Sequence, residues 1–368
     1  MKVAIVVDWL VVYAGAERVL EQMINCFPEA DLFAVVDFLP EGKRDFIKNK
    51  PVTTTFIQKL PFAKKRYRNY LPLMPIAIEQ LDVSAYDVVI SSSHAVAKGI
   101  ITGPDQTHIC YIHSPMRYAW DLQHQYLKEA KITKGIKSFF ARYFLHKMRL
   151  WDVRTSNGVD LFIANSCYIA KRVWKVYRRE AKTIYPPVDV ESFAPAEKKD
   201  DFYLTVSRMV PYKKMAMIVE AFNEMPEKHL KVVGDGPEME AICELVTSKN
   251  IEILGYQTDE QVRNYLAHAK AFVYAALEDF GIVAVEALAS GTPVIAYGVG
   301  GLAEIVTEGT GLLYQEQTAV ALCEAIHRFE QLKAPFCAAA CHKRALQFNK
   351  DHFNQALTEC VMKQASSQ

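Results

Sequence analysis

Ala271-Phe272-Val273-Tyr274-Ala275-Ala276-Leu277-Glu278-Asp279-Phe280-Gly281-Ile282-Val283-Ala284-Val285-Glu286-Ala287 runs from a short aromatic and β-branched stretch, through a loop with two acids, into an apolar run that opens on a glycine. Ala271–Tyr274 has the length and composition of a buried strand in a parallel sheet. A helix can begin at Gly281, which leaves Glu278 in the loop and puts Glu286 about a turn and a half inside the helix. The N–H groups at such a helix start suit phosphate, and the loop carboxylate is placed to meet hydroxyl groups of the same ligand. Glu286 stands among Ala284, Val285, Ala287 and Leu288, where a free carboxylate is costly. A ribose diol would serve as its partner, and so would a structural salt bridge.

The same alternation extends outward in both directions. Val3–Val7, Leu32–Val36, Val88–Ser91, His108–Ile112 and Leu161–Ala164 read as buried parallel strands of one sheet. After Pro186-Pro187 a second series follows: Phe202–Val206, Leu230–Val233, Ile251–Leu254, Ala271–Tyr274, Pro293–Ala296 and Gly311–Tyr314. Strands separated by helical patterns indicate βαβ units. Two series, parted by Pro-Pro and the charged stretch Ala194–Asp201, predict an α/β chain of two doubly wound, Rossmann-like domains facing across a cleft. Sheets of this kind bind ligands in the loops at the carboxyl ends of their strands.

Those loops hold the remaining candidates. Gly15 closes the first loop, Asp8 to Ala14, and precedes a helix, where a phosphate could approach the backbone; a plain turn glycine is the alternative. Ser207-Arg208-Met209-Val210-Pro211-Tyr212-Lys213-Lys214 carries cations able to neutralise a diphosphate, or is a solvated basic turn. Gly234-Asp235-Gly236 and Gly255-Tyr256 allow tight turns under a ligand. His113 ends a strand, within Tyr111-Ile112-His113-Ser114-Pro115-Met116-Arg117-Tyr118-Ala119-Trp120-Asp121. A lone histidine is more often a satisfied structural residue, yet Arg117, Tyr118, Trp120 and Asp121 beside it form a mixture suited to a sugar: rings for C–H faces, charges for hydroxyls or phosphate.

The chain has 368 residues, enough for two domains, and is 51% hydrophobic and 23% charged, as sizeable cores require. Its start is expected to be a first strand rather than a signal peptide, because Asp8 interrupts the apolar run. No stretch reaches the roughly 20 uninterrupted apolar residues of a spanning helix. The eight cysteines are scattered without a CxxC pair and read as reduced thiols. Residues 1–186 carry 27 basic and 17 acidic residues, net +10, whereas the remainder carries 16 and 25, net −9. Such asymmetry suggests that the first half faces something anionic, or that the two halves complement each other.

Taken together, these loops resemble glycosyltransferase family 4, the retaining enzymes of GT-B fold. The resemblance covers almost the whole chain. It is strongest in the two glutamates Glu278 and Glu286, supported by Arg208 with Lys213, by Gly234-Asp235-Gly236 and by Gly15. Tyr111 to Asp121 is more narrowly similar to bacterial GDP-mannose-dependent mannosyltransferases of O-antigen and exopolysaccharide assembly. The resemblance implies that Arg208 and Lys213 bind the donor diphosphate, that Glu286 binds the ribose, and that Glu278 contacts the donor sugar. Gly15, Gly234, Gly255, Phe280 and the N–H groups of Gly281, Ile282 and Val283 would complete the donor site. His113 would position the reacting sugar, and Arg117, Tyr118, Trp120 and Asp121 would bind acceptor. It further implies residues 1–187 for acceptor, 188–345 for donor, and a helix in 346–368 crossing back to the first domain. Ala14 and Tyr212 depart from the family pattern, which often has glycine and an acid there. No Asp-x-Asp occurs in the donor loops, so no metal ion or other cofactor is expected.

The implied acceptor is a lipid-linked saccharide, and the implied location is the cytoplasm or the cytoplasmic face of the inner membrane. Two basic segments interleaved with aromatics, Lys64–Arg68 and Lys131–Arg154, would suit peripheral contact with anionic lipid, or are solvated helices with an ordinary core face. Nucleic acid is disfavoured because no binding module is recognisable. The competing readings are a transferase using a UDP-sugar, a nucleotide-sugar epimerase on the same frame, and a non-catalytic binding protein.

Overall fold

The computed structural model describes residues 1–196, 198–332 and 336–366. The chain divides into two compact units, one formed by Met1–Pro186 with the segment from Phe353 onward, the other by Pro187–His352. Against the implied divisions after 187 and 345, the second division therefore falls seven residues later.

The first unit contains β1 (Val3–Val7), β2 (Asp31–Ala34), β3 (Val52–Thr54), β4 (Val88–Ser93), β5 (Thr107–Ile112), β6 (Leu161–Ala164) and β7 (Ala181–Thr183). They form one parallel sheet in the order β3-β2-β1-β4-β5-β6-β7. β1 is buried along its whole length, as a parallel strand with helices on both faces must be. Its alternate side chains serve two cores. Val3, Ile5 and Val7 join one, while Ala4 and Val6 join the other. The closing helix, Lys350–Ala365, places Phe353, Leu357, Cys360 and Val361 in the first of these cores. Strands β3 and β7 were not expected. Each is three residues long and only partly buried, so neither offers the apolar run by which the other strands are recognised.

The second unit contains β8 (Tyr203–Val206), β9 (Leu230–Val233), β10 (Ile251–Gly255), β11 (Ala271–Tyr274), β12 (Val294–Tyr297) and β13 (Gly311–Tyr314). Their order is β10-β9-β8-β11-β12-β13, all parallel. Both sheets are doubly wound, and each reverses once, at β1/β4 and at β8/β11. In such sheets the loops on either side of the reversal diverge and leave room for a ligand.

The first unit also contains a buried ion pair. Lys98 Nζ lies 2.8 Å from Asp152 Oδ1, both side chains being almost wholly inaccessible. Lys98 also donates to the Asp152 carbonyl and to Thr155 Oγ1, each at 2.8 Å. Asp152 Oδ2 accepts from Trp120 Nε1 at 2.7 Å and from Tyr177 Oη at 2.9 Å. The Trp151 ring lies close enough to Gly99 that an added Cβ would meet it at 2.2 Å. Removing one partner of such a pair strands a charge without water. Asp152→Asn should therefore lower the free energy of unfolding by about 3–5 kcal/mol, measured by urea denaturation. The double variant Lys98→Met/Asp152→Asn, which removes the stranded charge and keeps an acceptor for Trp120 and Tyr177, should recover part of that loss.

No helix among the described residues is long and apolar enough to cross a membrane.

Candidate functional site

At the reversal of the second sheet, the loop after β8 brings Arg208 and Lys213, and the loop after β11 brings Glu278. Lys213 forms an ion pair with Glu278 and donates to Tyr274 Oη at 3.0 Å. Tyr274 donates in turn to Glu278 Oε1 at 2.8 Å. Burial works against the Lys213 charge, but Glu278, Tyr274 and Tyr212 outweigh it and hold the ammonium well above its ordinary range. Burial and the Glu278 carboxylate push the Tyr274 hydroxyl up, so it stays protonated and donates. Arg208 is exposed on the same loop and has no carboxylate partner among the described residues.

Close backbone packing holds this cluster in place. Gly300 and Gly301 lie against the Glu278 loop, where Gly301 N–H donates to Glu278 O at 2.9 Å. A Cβ on Gly300 would meet that same oxygen at 2.3 Å. Gly281, with φ of 108°, caps the Ile282–Ala289 helix, so the first-turn N–H groups of Ile282 and Val283 open on the same loop. Glu286 lies inside that helix, 7% exposed. Gly234, with φ of 139°, lets the Ser207 carbonyl pass where a Cβ would stand 1.8 Å from it. The first need for this glycine is thus contact between two loops, and Gly255 supports it by accepting from Gly234 N–H at 2.9 Å. Phe280 stands between Glu278 and Gly281 in the same loop. Its ring is buried, 3% exposed, with its centroid 5.5 Å from that of Phe348, so the side chain belongs to the core and only its backbone can face a ligand.

At the reversal of the first sheet, Asp8 follows β1 and His94 follows β4. The buried Asp8 carboxylate accepts four backbone N–H bonds, from His94, Ala95, Val96 and Ala97, at 2.6 to 3.0 Å. It also lies 2.9 Å from His94 Nδ1. Burial would raise its pKa, but His94 and the backbone donors bring it down to about 2. For His94 the balance also favours charge: burial opposes it, and Asp8 raises the pKa above the ordinary value. His113 is different. Its Nε2 lies 2.8 Å from Ser92 Oγ, and burial together with the His94 charge lowers its pKa to about 3. The imidazole is therefore neutral at neutral pH, and its expected role narrows to hydrogen bonding. Gly15 is the first residue of the Gly15–Cys26 helix.

Two of the four residues expected to bind acceptor have their polar groups taken up by neighbours. Trp120 spends its indole N–H on Asp152, and Asp121 is paired with Arg172, which also donates to Ser114 Oγ at 2.8 Å. These bonds build the wall of the first unit and leave those two polar groups engaged. Tyr118 Oη is buried without a hydrogen-bond partner among the described residues, and Arg117 is half-buried.

Residues 189–345 match the family described as glycosyl transferases group 1, and residues 13–192 match that described as Glycosyltransferase Family 4. The chain belongs to glycosyltransferase family 4. Among relatives of this family-4 chain, an uncharacterized glycosyltransferase of Methanocaldococcus jannaschii is 33% identical over 203 residues, covering 54% of this chain and 55% of the relative. A GDP-mannose-dependent monoacylated α-(1-6)-phosphatidylinositol monomannoside mannosyltransferase of Corynebacterium glutamicum is 33% identical over 212 residues, 50% of this chain and 55% of the relative. The chain thus spans about half the length of the curated relatives it matches. The crystal structure of Anabaena HepE with UDP and glucose superposes with a TM-score of 0.71 at 18% identity, covering 98% and 99% of the two chains. The fold is therefore GT-B, with a doubly wound Rossmann-like sheet in each unit.

Sequence reading of this family-4 chain missed Tyr274, His94 and the loop-pinning role of Asp8. Tyr274 passes for the last core residue of its strand. Asp8 directly after a buried strand, and His94 after three serines, were the available signals. The pair makes a pH-dependent contribution to stability whose sign follows from the two shifts. The Asp8 part is complete above about pH 4 and is lost as pH falls toward 2. The His94 part is complete below about pH 6.5 and is lost as pH rises through its higher folded value. Asp8→Asn should therefore cost about 3 kcal/mol near pH 5.5. The gap to wild type should narrow on both sides, measured by denaturant titration across pH.

Proposed function

We propose that the protein is a retaining glycosyltransferase that moves a mannosyl group from GDP-mannose to a lipid-linked saccharide in surface polysaccharide synthesis. The observation that carries the transferase reading is the cluster of Lys213, Glu278 and Tyr274 beside exposed Arg208 at the reversal of the second sheet. It supplies two cations for a diphosphate and a carboxylate for sugar hydroxyls. The mannosyl reading is supported by the Tyr111–Asp121 resemblance and by likeness to the Corynebacterium glutamicum enzyme.

In this reading the donor diphosphate takes over Lys213 from Glu278 and is met by Arg208. Glu278, released from the pair, turns to the sugar, Glu286 holds the ribose, and the N–H groups of Gly281, Ile282 and Val283 meet phosphate and sugar. The bond from the anomeric carbon to the phosphate oxygen breaks as the acceptor oxygen bonds to that carbon from the same face. The acceptor proton passes to the departing phosphate, whose growing charge Arg208 and Lys213 stabilise. Cationic side chains then do what a metal ion does elsewhere, and His113 positions the reacting sugar as a neutral hydrogen-bonding group. A lipid-linked acceptor requires the chain to work at the cytoplasmic face of the membrane that holds it.

A thermal-shift panel of GDP-mannose, UDP-glucose, UDP-N-acetylglucosamine, GDP and UDP tests the donor. Guanine nucleotides should stabilise wild type by about 2.7 kcal/mol at a hundredfold excess over Kd, and Arg208→Ala should abolish the shift. A uridine-only shift would overturn the donor, and no shift with any nucleotide would overturn the transferase reading. Glu278→Gln separates binding from turnover. With the competitor for Lys213 gone, GDP alone should bind more tightly than to wild type. Transfer should fall by about 10²–10³, assayed by nucleoside diphosphate released in the presence of acceptor.

A further inference from the structure

The Ile136–Ser156 helix carries apolar side chains on opposite sides. Leu145, Met148 and Trp151 turn inward to the core that also holds Tyr67, Met74 and Ala77. Ile136, Phe139, Tyr143, Leu150 and Val153 recur at i, i+3, i+7, i+14 and i+17, which is one helical stripe. That stripe lies open, at 74%, 66%, 48%, 55% and 37% exposure, with Phe140 and Phe144 exposed beside it. An ordinary solvated helix does not spend its outer side on large rings, so the stripe marks a surface that meets something apolar.

The charge identifies what that is. Between Glu129 and Asp152 there is no acid, while Lys131, Lys134, Lys137, Arg142, Lys147 and Arg149 supply six cations. Lys147 lies 5.5 Å from the Tyr143 centroid, whereas Arg149 donates to Ala119 O and Gln123 Oε1. A second copy of the helix would bring the same six cations against these, which disfavours self-association. The neighbouring basic segment repeats the pattern, with Phe62 76% exposed just before Lys64, Lys65, Arg66 and Arg68. The two segments are tied within one unit, because Trp151 Nε1 donates to Glu79 at 2.7 Å at the end of the Met74–Glu79 helix.

We propose that the outer side of the Ile136–Ser156 helix docks the first unit on an anionic phospholipid bilayer. The rings enter the boundary between headgroups and acyl chains, and the bases meet lipid phosphates. The proposal takes its purpose from the lipid-linked acceptor reading, but its footing is the exposure and charge of this helix. Vesicle flotation of the whole chain tests it, with phosphatidylcholine alone and with phosphatidylcholine containing phosphatidylglycerol. Wild type should float only with the anionic vesicles, and less as salt is raised. Phe139→Ser/Tyr143→Ser, and separately Lys134→Gln/Lys137→Gln/Lys147→Gln, should each lower the bound fraction at least about tenfold, with Tm and nucleotide-induced shifts unchanged. Equal binding to neutral vesicles, unaltered flotation of both variants, or a wild-type dimer lost in the ring variant without any lipid binding would each overturn it. Loss of nucleotide binding with flotation intact would instead count against the transferase reading alone.

Discussion

A parallel sheet that reverses its strand order sends the connections on either side of the reversal to opposite faces, and the loops there diverge. Both units obey this constraint, at β1/β4 and β8/β11, and almost every chemically active side chain lies on a loop next to one of those reversals. Asp8 and His94 follow the two strands that flank the first. Arg208, Lys213 and Glu278 follow the two that flank the second. Register between neighbouring strands brings these ends level, and glycines in left-handed conformation, Gly234 and Gly281 among them, let the second unit's loops close against one another.

The two reversals are used differently. In the first unit the charge is consumed internally: the Asp8 carboxylate satisfies four backbone donors of the following loop and fixes His94. That pins the loop beside His113, which burial keeps neutral. In the second unit the charge is held in reserve. Lys213 and Glu278 neutralise each other, with Tyr274 bonded to both, and under the proposed function each would be released by a ligand that supplies an equivalent anion or hydroxyl. A buried pair of this kind keeps a cation poised without leaving it desolvated and alone.

Much of this was legible in the residues. The β-branched runs marked eleven of the thirteen strands among the described residues, because a strand covered on both faces must be apolar throughout. Glu278, Arg208 and Lys213 could be singled out because charged residues after such runs fall in ligand-facing loops. Tyr274 could not, since an aromatic at the end of a buried strand looks like core until its hydroxyl is seen to reach two charged neighbours. Trp120 and Asp121 had the composition of a sugar site, but composition does not reveal that Asp152 and Arg172 already occupy their polar groups. Nor does sequence show that Gly234 lets the Ser207 carbonyl pass, a contact between loops more than twenty residues apart.

The Ile136–Ser156 helix shows most directly where sequence stops. Its bases and rings were visible in one dimension, yet the same string fits a helix that buries its aromatics and one that displays them. Period and composition are local properties, so the sequence by itself determined the class of fold, the apolar strands, and the loops that carry the charge. Partnership is not local. Which carboxylate meets Lys213, which ring leaves the core, and which glycine makes room for another loop depend on packing between segments distant in the chain, and only the tertiary structure decided them.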